Sequence, residues 1–133
     1  MKTKINILIM LFCLLAMETR AQQKALGYVF EDSNKNGKKD RNEKGIANVA
    51  VSNGYDVVLT DNNGKYELIV EDDNIIFVIK PSGYKPLVDD NNLPKFYYIH
   101  KPLGSPQLKY AGTPPTGKLP KSIDFPLTPT NRK

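Results

Sequence analysis

Gly27-Tyr28-Val29-Phe30-Glu31-Asp32-Ser33-Asn34-Lys35-Asn36-Gly37-Lys38-Lys39-Asp40-Arg41-Asn42-Glu43-Lys44-Gly45 is the stretch whose reading decides the fold. From Asp32 to Glu43, oxygen-bearing side chains stand at positions 1, 3, 5, 9 and 12, with glycine at position 6. That spacing is D-x-[DN]-x-[DN]-G-x5-E, the pattern of a calcium loop. Calcium takes six to eight hard oxygen ligands, so the chain must curl to bring these oxygens together. Gly37 permits the sharp turn because it has no Cβ to clash at unusual backbone angles. Asp32, Asn34, Asn36, Asp40 and Glu43 are the side-chain ligands expected, with Lys38 offering its carbonyl and Glu43 closing the site through both oxygens. The flanks are not those of a helix-loop-helix hand. Gly27–Glu31 reads as a strand, and Gly45 follows Glu43 by two residues, so the loop is expected as a hairpin-like connection in an all-β protein.

The rest of the chain repeats that β signature. Short β-branched and aromatic runs alternate with Asn/Asp/Gly/Pro clusters, and no sustained helical repeat of apolar residues occurs. Strands are predicted near Leu26–Glu31, Ala47–Val51, Asp56–Thr60, Tyr66–Val70, Ile75–Lys80, Phe96–His100 and Ser122–Leu127. Asp61-Asn62-Asn63-Gly64 and Asn53-Gly54 mark tight turns, since Asn and Gly tolerate positive φ. Ile75-Ile76-Phe77-Val78-Ile79 is apolar on both faces and is expected to be the most buried strand. About seven short strands at this spacing predict a β-sandwich.

Seven of the ten prolines fall from Pro102 onward. Proline donates no backbone hydrogen bond, so residues 101–121 are expected as an extended crossing, followed by a short edge strand at Ile123-Asp124-Phe125. Residues 22–127 would form the module, and 128–133 a tail or the start of a linker.

The N-terminus has a different character. Lys2 and Lys4 precede an apolar run from Ile5 to Met17, and Thr19-Arg20-Ala21 presents small residues at −3 and −1 of a cleavage site. Residues 1–21 therefore read as a secretory signal peptide, too short to span a membrane as a mature helix. Cys13 is the only cysteine and lies within it, so the exported chain would hold its fold without disulfides. Of 19 basic and 14 acidic residues, removal of Lys2, Lys4, Arg20 and Glu18 leaves 16 and 13, a net charge of +3. That is ordinary solubility charge, and no arginine cluster or stacking platform argues for nucleic acid.

Catalysis has little to draw on. His100 is the single histidine, and no Gly-x-Ser-x-Gly elbow or phosphate-cradling loop is present. Asp72-Asp73 and Asp89-Asp90 read as solvated turn charge. Tyr84, Phe96, Tyr97, Tyr98 and Tyr110 could line a sugar-binding strip, but core and half-exposed strand positions account for them better. For the loop, the alternative is a lysine-rich turn that binds nothing. Lys35, Lys38, Lys39, Arg41 and Lys44 oppose a cation, which suggests a dissociation constant of about 10⁻⁵–10⁻³ M and a structural role.

Taken together, Gly27-Tyr28-Val29-Phe30-Glu31-Asp32, Asn34-Lys35-Asn36-Gly37, Glu43-Lys44-Gly45-Ile46, Thr60-Asp61, Gly64-Lys65-Tyr66 and Pro81-Ser82-Gly83-Tyr84 resemble B-type repeats of bacterial surface adhesins. The chain is most similar to the N-terminal domain of secreted bacterial calcineurin-like phosphoesterases, and Ile123-Asp124-Phe125-Pro126-Leu127 fits the last strand of that module. The resemblance implies a prealbumin- or immunoglobulin-like sandwich, calcium on the Asp/Asn loop, and a periplasmic or cell-surface setting. It also implies a metallophosphoesterase catalytic domain or a cell-surface protein as partner. The histidine- and aspartate-rich metal motifs of the catalytic domain are absent. The expectation is therefore a non-enzymatic accessory module, standing alone or split from its catalytic domain.

Overall fold

Alternating apolar side chains build two sheets that share one core. The computed structural model describes residues 22–106 and 110–130, so the expected signal peptide lies outside the described residues. Among the described residues eight strands occur in order: β1 Gln23–Glu31, β2 Ala50–Ser52, β3 Val57–Leu59, β4 Lys65–Val70, β5 Asn74–Val78, β6 Tyr84–Pro86, β7 Tyr97–His100 and β8 Phe125–Pro129. They form two four-stranded sheets, β4-β1-β8-β6 and β3-β2-β5-β7. Every strand and core residue described lies within residues 23–129.

In β4, Tyr66, Leu68 and Val70 are buried between exposed Lys65, Glu67 and Ile69. Antiparallel pairing sets Leu68 opposite Ala25 and Tyr66 opposite Gly27. From the other sheet Val51, Ile76 and Val78 complete the core, and Phe125 and Leu127 enter from β8. The Tyr66 and Phe125 rings stack with centroids 6.0 Å apart. A period of two thus gives each sheet one apolar inner face.

Three features differ from expectation. First, β6 adds an eighth strand. Its three residues, Tyr84-Lys85-Pro86, are too few and too mixed to show alternation. Second, β5 is buried on one face only. Ile76 and Val78 are enclosed, whereas Ile75 and Ile79 remain 47 % and 48 % exposed. Nothing among the described residues covers that side, so an apolar run on both faces does not here mean burial on both.

Third, β8 is an inner strand, not an edge. It runs parallel to β1, with Val29 opposite Phe125 and Phe30 opposite Pro126, and antiparallel to β6. Pro126 is tolerated because it lies where the β6 ladder ends, and its carbonyl still accepts the Leu87 N–H at 3.3 Å. The strand continues to Pro129, and Thr130 N–H donates to Gly83 O at 2.7 Å. The segment before β8 is fastened at Ile123, whose N–H donates to Leu26 O at 2.8 Å and whose carbonyl accepts the buried Tyr66 hydroxyl at 2.7 Å. Burial, and secondarily the charge of Asp124, pushes that hydroxyl well above the ordinary tyrosine value.

Candidate metal centre

β1 delivers Asp32 to the pole of the sandwich where β8 also ends. The Asp32 N–H donates to Leu127 O at 2.9 Å, continuing the β1–β8 pairing into the loop. The loop then closes on itself. Phe30 bridges Gly45, and Glu31 N–H donates to Lys44 O at 2.8 Å, which gives it a hairpin-like base. Beyond that base the chain does not return along β1 but crosses to β2 in the other sheet.

Asp32 is the centre of the turn. Its side chain is buried, one oxygen accepts the Asn36 N–H at 3.2 Å, and the other accepts the Gly37 N–H at 2.8 Å. Gly37 has φ of 73°, the left-handed conformation that glycine adopts without strain. Asn34 Oδ1 accepts the same Asn36 N–H at 3.1 Å, so one amide proton draws the Asp32 and Asn34 oxygens together. Asn36 Oδ1 in turn accepts the Lys38 N–H at 2.7 Å. These are successive Asx turns, in which a side-chain oxygen captures a backbone amide two residues on.

Glu43 ties the two ends of the loop. One carboxylate oxygen accepts the Ser33 N–H at 2.9 Å and the other accepts the Asp40 N–H at 3.0 Å. It is buried, at 8 % exposure. Asp40 is exposed, and its Oδ2 accepts from Asn34 Nδ2 and Asn36 Nδ2, both at 2.8 Å. Those two hydrogen bonds, with help from the Lys38 charge, hold the Asp40 carboxyl below its usual value.

The loop therefore gathers Asp32, Asn34, Asn36, Asp40 and Glu43 into one hydrogen-bonded knot. Lys38 sits on its exposed side. Of the basic residues, Lys39 turns its Nζ to the Glu43 backbone carbonyl at 3.0 Å and lies 5.4 Å from the centre of the Tyr28 ring. Among the described residues no salt bridge reaches Asp32 or Glu43. Two buried carboxylates in one loop without a cationic partner is an uncommon arrangement, because buried charge is normally paired or bound to metal. The donor set is all oxygen and suits a hard cation. Among the described residues, no three acidic, histidine or cysteine side chains form a metal cage by themselves. A cation here would depend on amide and backbone oxygens beside the carboxylates.

Sequence reasoning missed what holds the loop from behind. A Cβ on Gly45 would sit 1.8 Å from Asn63 O, and one on Gly64 would sit 2.6 Å from the Gly45 Cα. The exit from the loop and the Asn62-Asn63-Gly64 turn are thus in backbone contact. Thr60 strengthens the junction by donating its hydroxyl to Ile46 O at 2.7 Å and accepting the Val49 N–H at 2.9 Å. Glycine two residues after the last ligand was the available signal. The supposed aromatic strip is not one surface: Tyr84 and Tyr98 pack against the core, while Phe96, Tyr97 and Tyr110 are exposed. His100 is fully buried with its Nε2 3.6 Å from Asp72 Oδ1, beyond hydrogen-bond reach, on β7 and away from the loop.

Residues 33–111, more than half of the chain, match the family described as the N terminal of calcineurin-like phosphoesterase. The chain belongs to that family. The match runs from the loop through β7 of this phosphoesterase N-terminal module. The module is also 46 % identical over 67 residues to serine-aspartate repeat-containing protein F of Staphylococcus epidermidis, covering 44 % of the chain and 4 % of that protein. Serine-aspartate repeat-containing protein C of Staphylococcus aureus gives the same identity over 67 residues, 44 % of the chain and 7 % of its own length. Colossin-B of Dictyostelium discoideum is 36 % identical over 97 residues, 66 % of the chain and 2 % of that protein. The chain thus spans only a small part of these curated relatives. Among the described residues no helix is long and apolar enough to cross a membrane.

Proposed function

We propose that this chain is an exported, non-catalytic β-sandwich whose role is structural or interactive, with the Asp32–Glu43 loop fastened by calcium. The observation that carries the proposal is the pair of buried carboxylates, Asp32 and Glu43, without a cationic partner among the described residues. Asp32, Asn34, Asn36, Asp40, Glu43 and the Lys38 carbonyl would hold the ion, which would supply positive charge and fix the loop. Export rests on the leader-like residues 1–21. Absence of catalysis rests on the family match, which is to the N-terminal part of phosphoesterases, and on the enclosure of the single histidine.

Thermal melting of residues 22–133 in calcium and in chelator tests this reading. Free calcium about tenfold above the dissociation constant adds about 1.4 kcal/mol. For a domain of this size that raises the melting temperature by about 5–8 °C. The increment should vanish in the double variant Asp32→Ala, Glu43→Ala. An equal melting temperature in both buffers, at several millimolar calcium, would leave the loop as a turn without an ion.

The family match favours a second, compatible reading: the module accompanies a calcineurin-like phosphoesterase domain and positions it or its substrate. Adding the module to such a domain should alter its activity on a large, surface-attached substrate more than on a small chromogenic ester. Equal activity on both, with and without the module, would count against it.

A further inference from the structure

The outer face of the β3-β2-β5-β7 sheet is largely apolar, interrupted on β2 by the nearly enclosed Ser52. Strand register aligns Val57, Ser52, Phe77 and Tyr97 in one row, with Ile75 and Ile99 paired beside it. Val57, Leu59, Ile75, Ile79 and Tyr97 each keep between 47 % and 62 % of their surface exposed. Phe96 extends the patch by packing edge-on against Tyr97, with centroids 5.1 Å apart. Contiguous apolar surface on this scale, on the order of several hundred Å², is seldom left to water. At one end the face opens into a groove of about 870 Å³ where Tyr55, Ile75, Phe96 and Tyr97 meet Glu71, Asp72 and Asp73.

Charge is polarised along the strands. Glu71, Asp72 and Asp73 turn immediately before β5, and Asp56 precedes β3 at the same end, since Ser52 pairs with both Val57 and Phe77. Lys101 at that end is already held by Asp73 at 2.8 Å. At the opposite end Lys80 follows Ile79, and Lys95 precedes β7, where Val78 N–H donates to Phe96 O at 3.0 Å. The face therefore has an apolar centre, an acidic end, and an opposite end where Lys80 and Lys95 stand with Asp89 of the Leu87–Lys95 hairpin beside Lys95.

We infer that this face is a homodimer interface. A two-fold axis lying in the plane of the interface, and running across the strands, lays apolar centre on apolar centre and sets the acidic end of each copy over the end of the other that carries Lys80 and Lys95. Such an isologous contact satisfies both charge pairs at once. Stable interfaces bury about 800 Å² per partner, and the half-exposed aliphatic and aromatic side chains on and beside β3, β5 and β7 supply the apolar part of such a contact. The pairing is independent of the loop at the pole and of any ion held there.

Sedimentation velocity of residues 22–133, from micromolar to near-millimolar concentration in chelator, tests the inference. The expected result is a concentration-dependent dimer. Ile79→Lys and Tyr97→Asp should each weaken it at least about tenfold, with thermal unfolding little changed at concentrations too low for self-association because both side chains face outward. Glu71→Lys or Lys80→Glu alone should weaken it, and the two together should restore it. A monomer at every concentration would overturn the inference. So would a dimer indifferent to the outer-face substitutions and the charge reversals.

Discussion

Gly27→Ala gives a direct test of how β8 is built into its sheet. Strand propensity alone favours alanine by ~0.5–1 kcal/mol, because glycine loses more freedom on folding. The structure reverses that sign. A Cβ at Gly27 would lie 1.9 Å from the Ile123 carbonyl oxygen and 2.9 Å from Tyr66 Cε1, where ordinary contact begins at 3.4 Å. The obstacle is backbone and cannot rotate away. Relief requires Ile123 to withdraw by more than an ångström, which breaks the bond its N–H donates to Leu26 O at 2.8 Å and the bond its carbonyl accepts from the Tyr66 hydroxyl at 2.7 Å. The neighbouring Tyr28 N–H bond to Asp124 Oδ1, 2.9 Å, is strained by the same movement. Three such bonds contribute ~1 kcal/mol each, so the net cost after the propensity gain is ~2–2.5 kcal/mol. Urea unfolding of residues 22–133 should show the midpoint lowered by about 1–2 M. An unchanged or raised midpoint would refute the placement of Ile123 against β1.

Other outcomes follow from burial and charge. At concentrations too low for self-association, Ile76→Ala should cost ~2–5 kcal/mol, whereas Ile75→Ala and Ile79→Ala should cost less than about 1 kcal/mol, since only Ile76 leaves a cavity. Denaturant titrations of the three variants check this, and equal losses would contradict the one-sided burial of β5. Tyr66 has its folded pKa raised above the usual 10.0, so its contribution is fully present below that value and declines as pH rises past it, when the unfolded chain ionises first. Alkaline unfolding should therefore steepen above about pH 10, and Tyr66→Phe should lessen that slope, leaving the smaller part due to Tyr84, whose pKa is also raised. The Asp40 carboxyl is depressed below 3.8, so its contribution is present above that pH and is lost as pH falls through the lower folded value. Asn34→Ala, which removes the largest cause, should move the Asp40 titration seen by carboxyl NMR upward; no movement would place the depression elsewhere.

Much of this architecture is legible in the chain because each strand announces its inner face. Tyr66, Leu68 and Val70 alternate with charged or exposed neighbours, and Gly64 takes the positive φ of the turn that precedes them. The loop is legible for the same local reason: Asp32, Asn34, Asn36 and Gly37 interact within a few residues of one another. Long-range relations are less visible. Nothing near Ile123 indicates that a proline-flanked segment will pair parallel with β1, almost a hundred residues earlier. Tyr84-Lys85-Pro86 is a strand only because β8 lies beside it. The Ile75–Ile79 run misleads because apolar character reports what a face prefers to touch, not whether the same chain provides the contact. Gly45 and Gly64 illustrate the limit most plainly, since each looks like a turn residue alone and their backbone contact appears only in three dimensions.

The measurement that tests the account most directly is a calorimetric calcium titration of residues 22–133. The account predicts one site, a dissociation constant of about 10⁻⁵–10⁻³ M, and loss of the heat in Asp32→Ala. Absence of binding heat at several millimolar calcium, or undiminished binding in that variant, would contradict it.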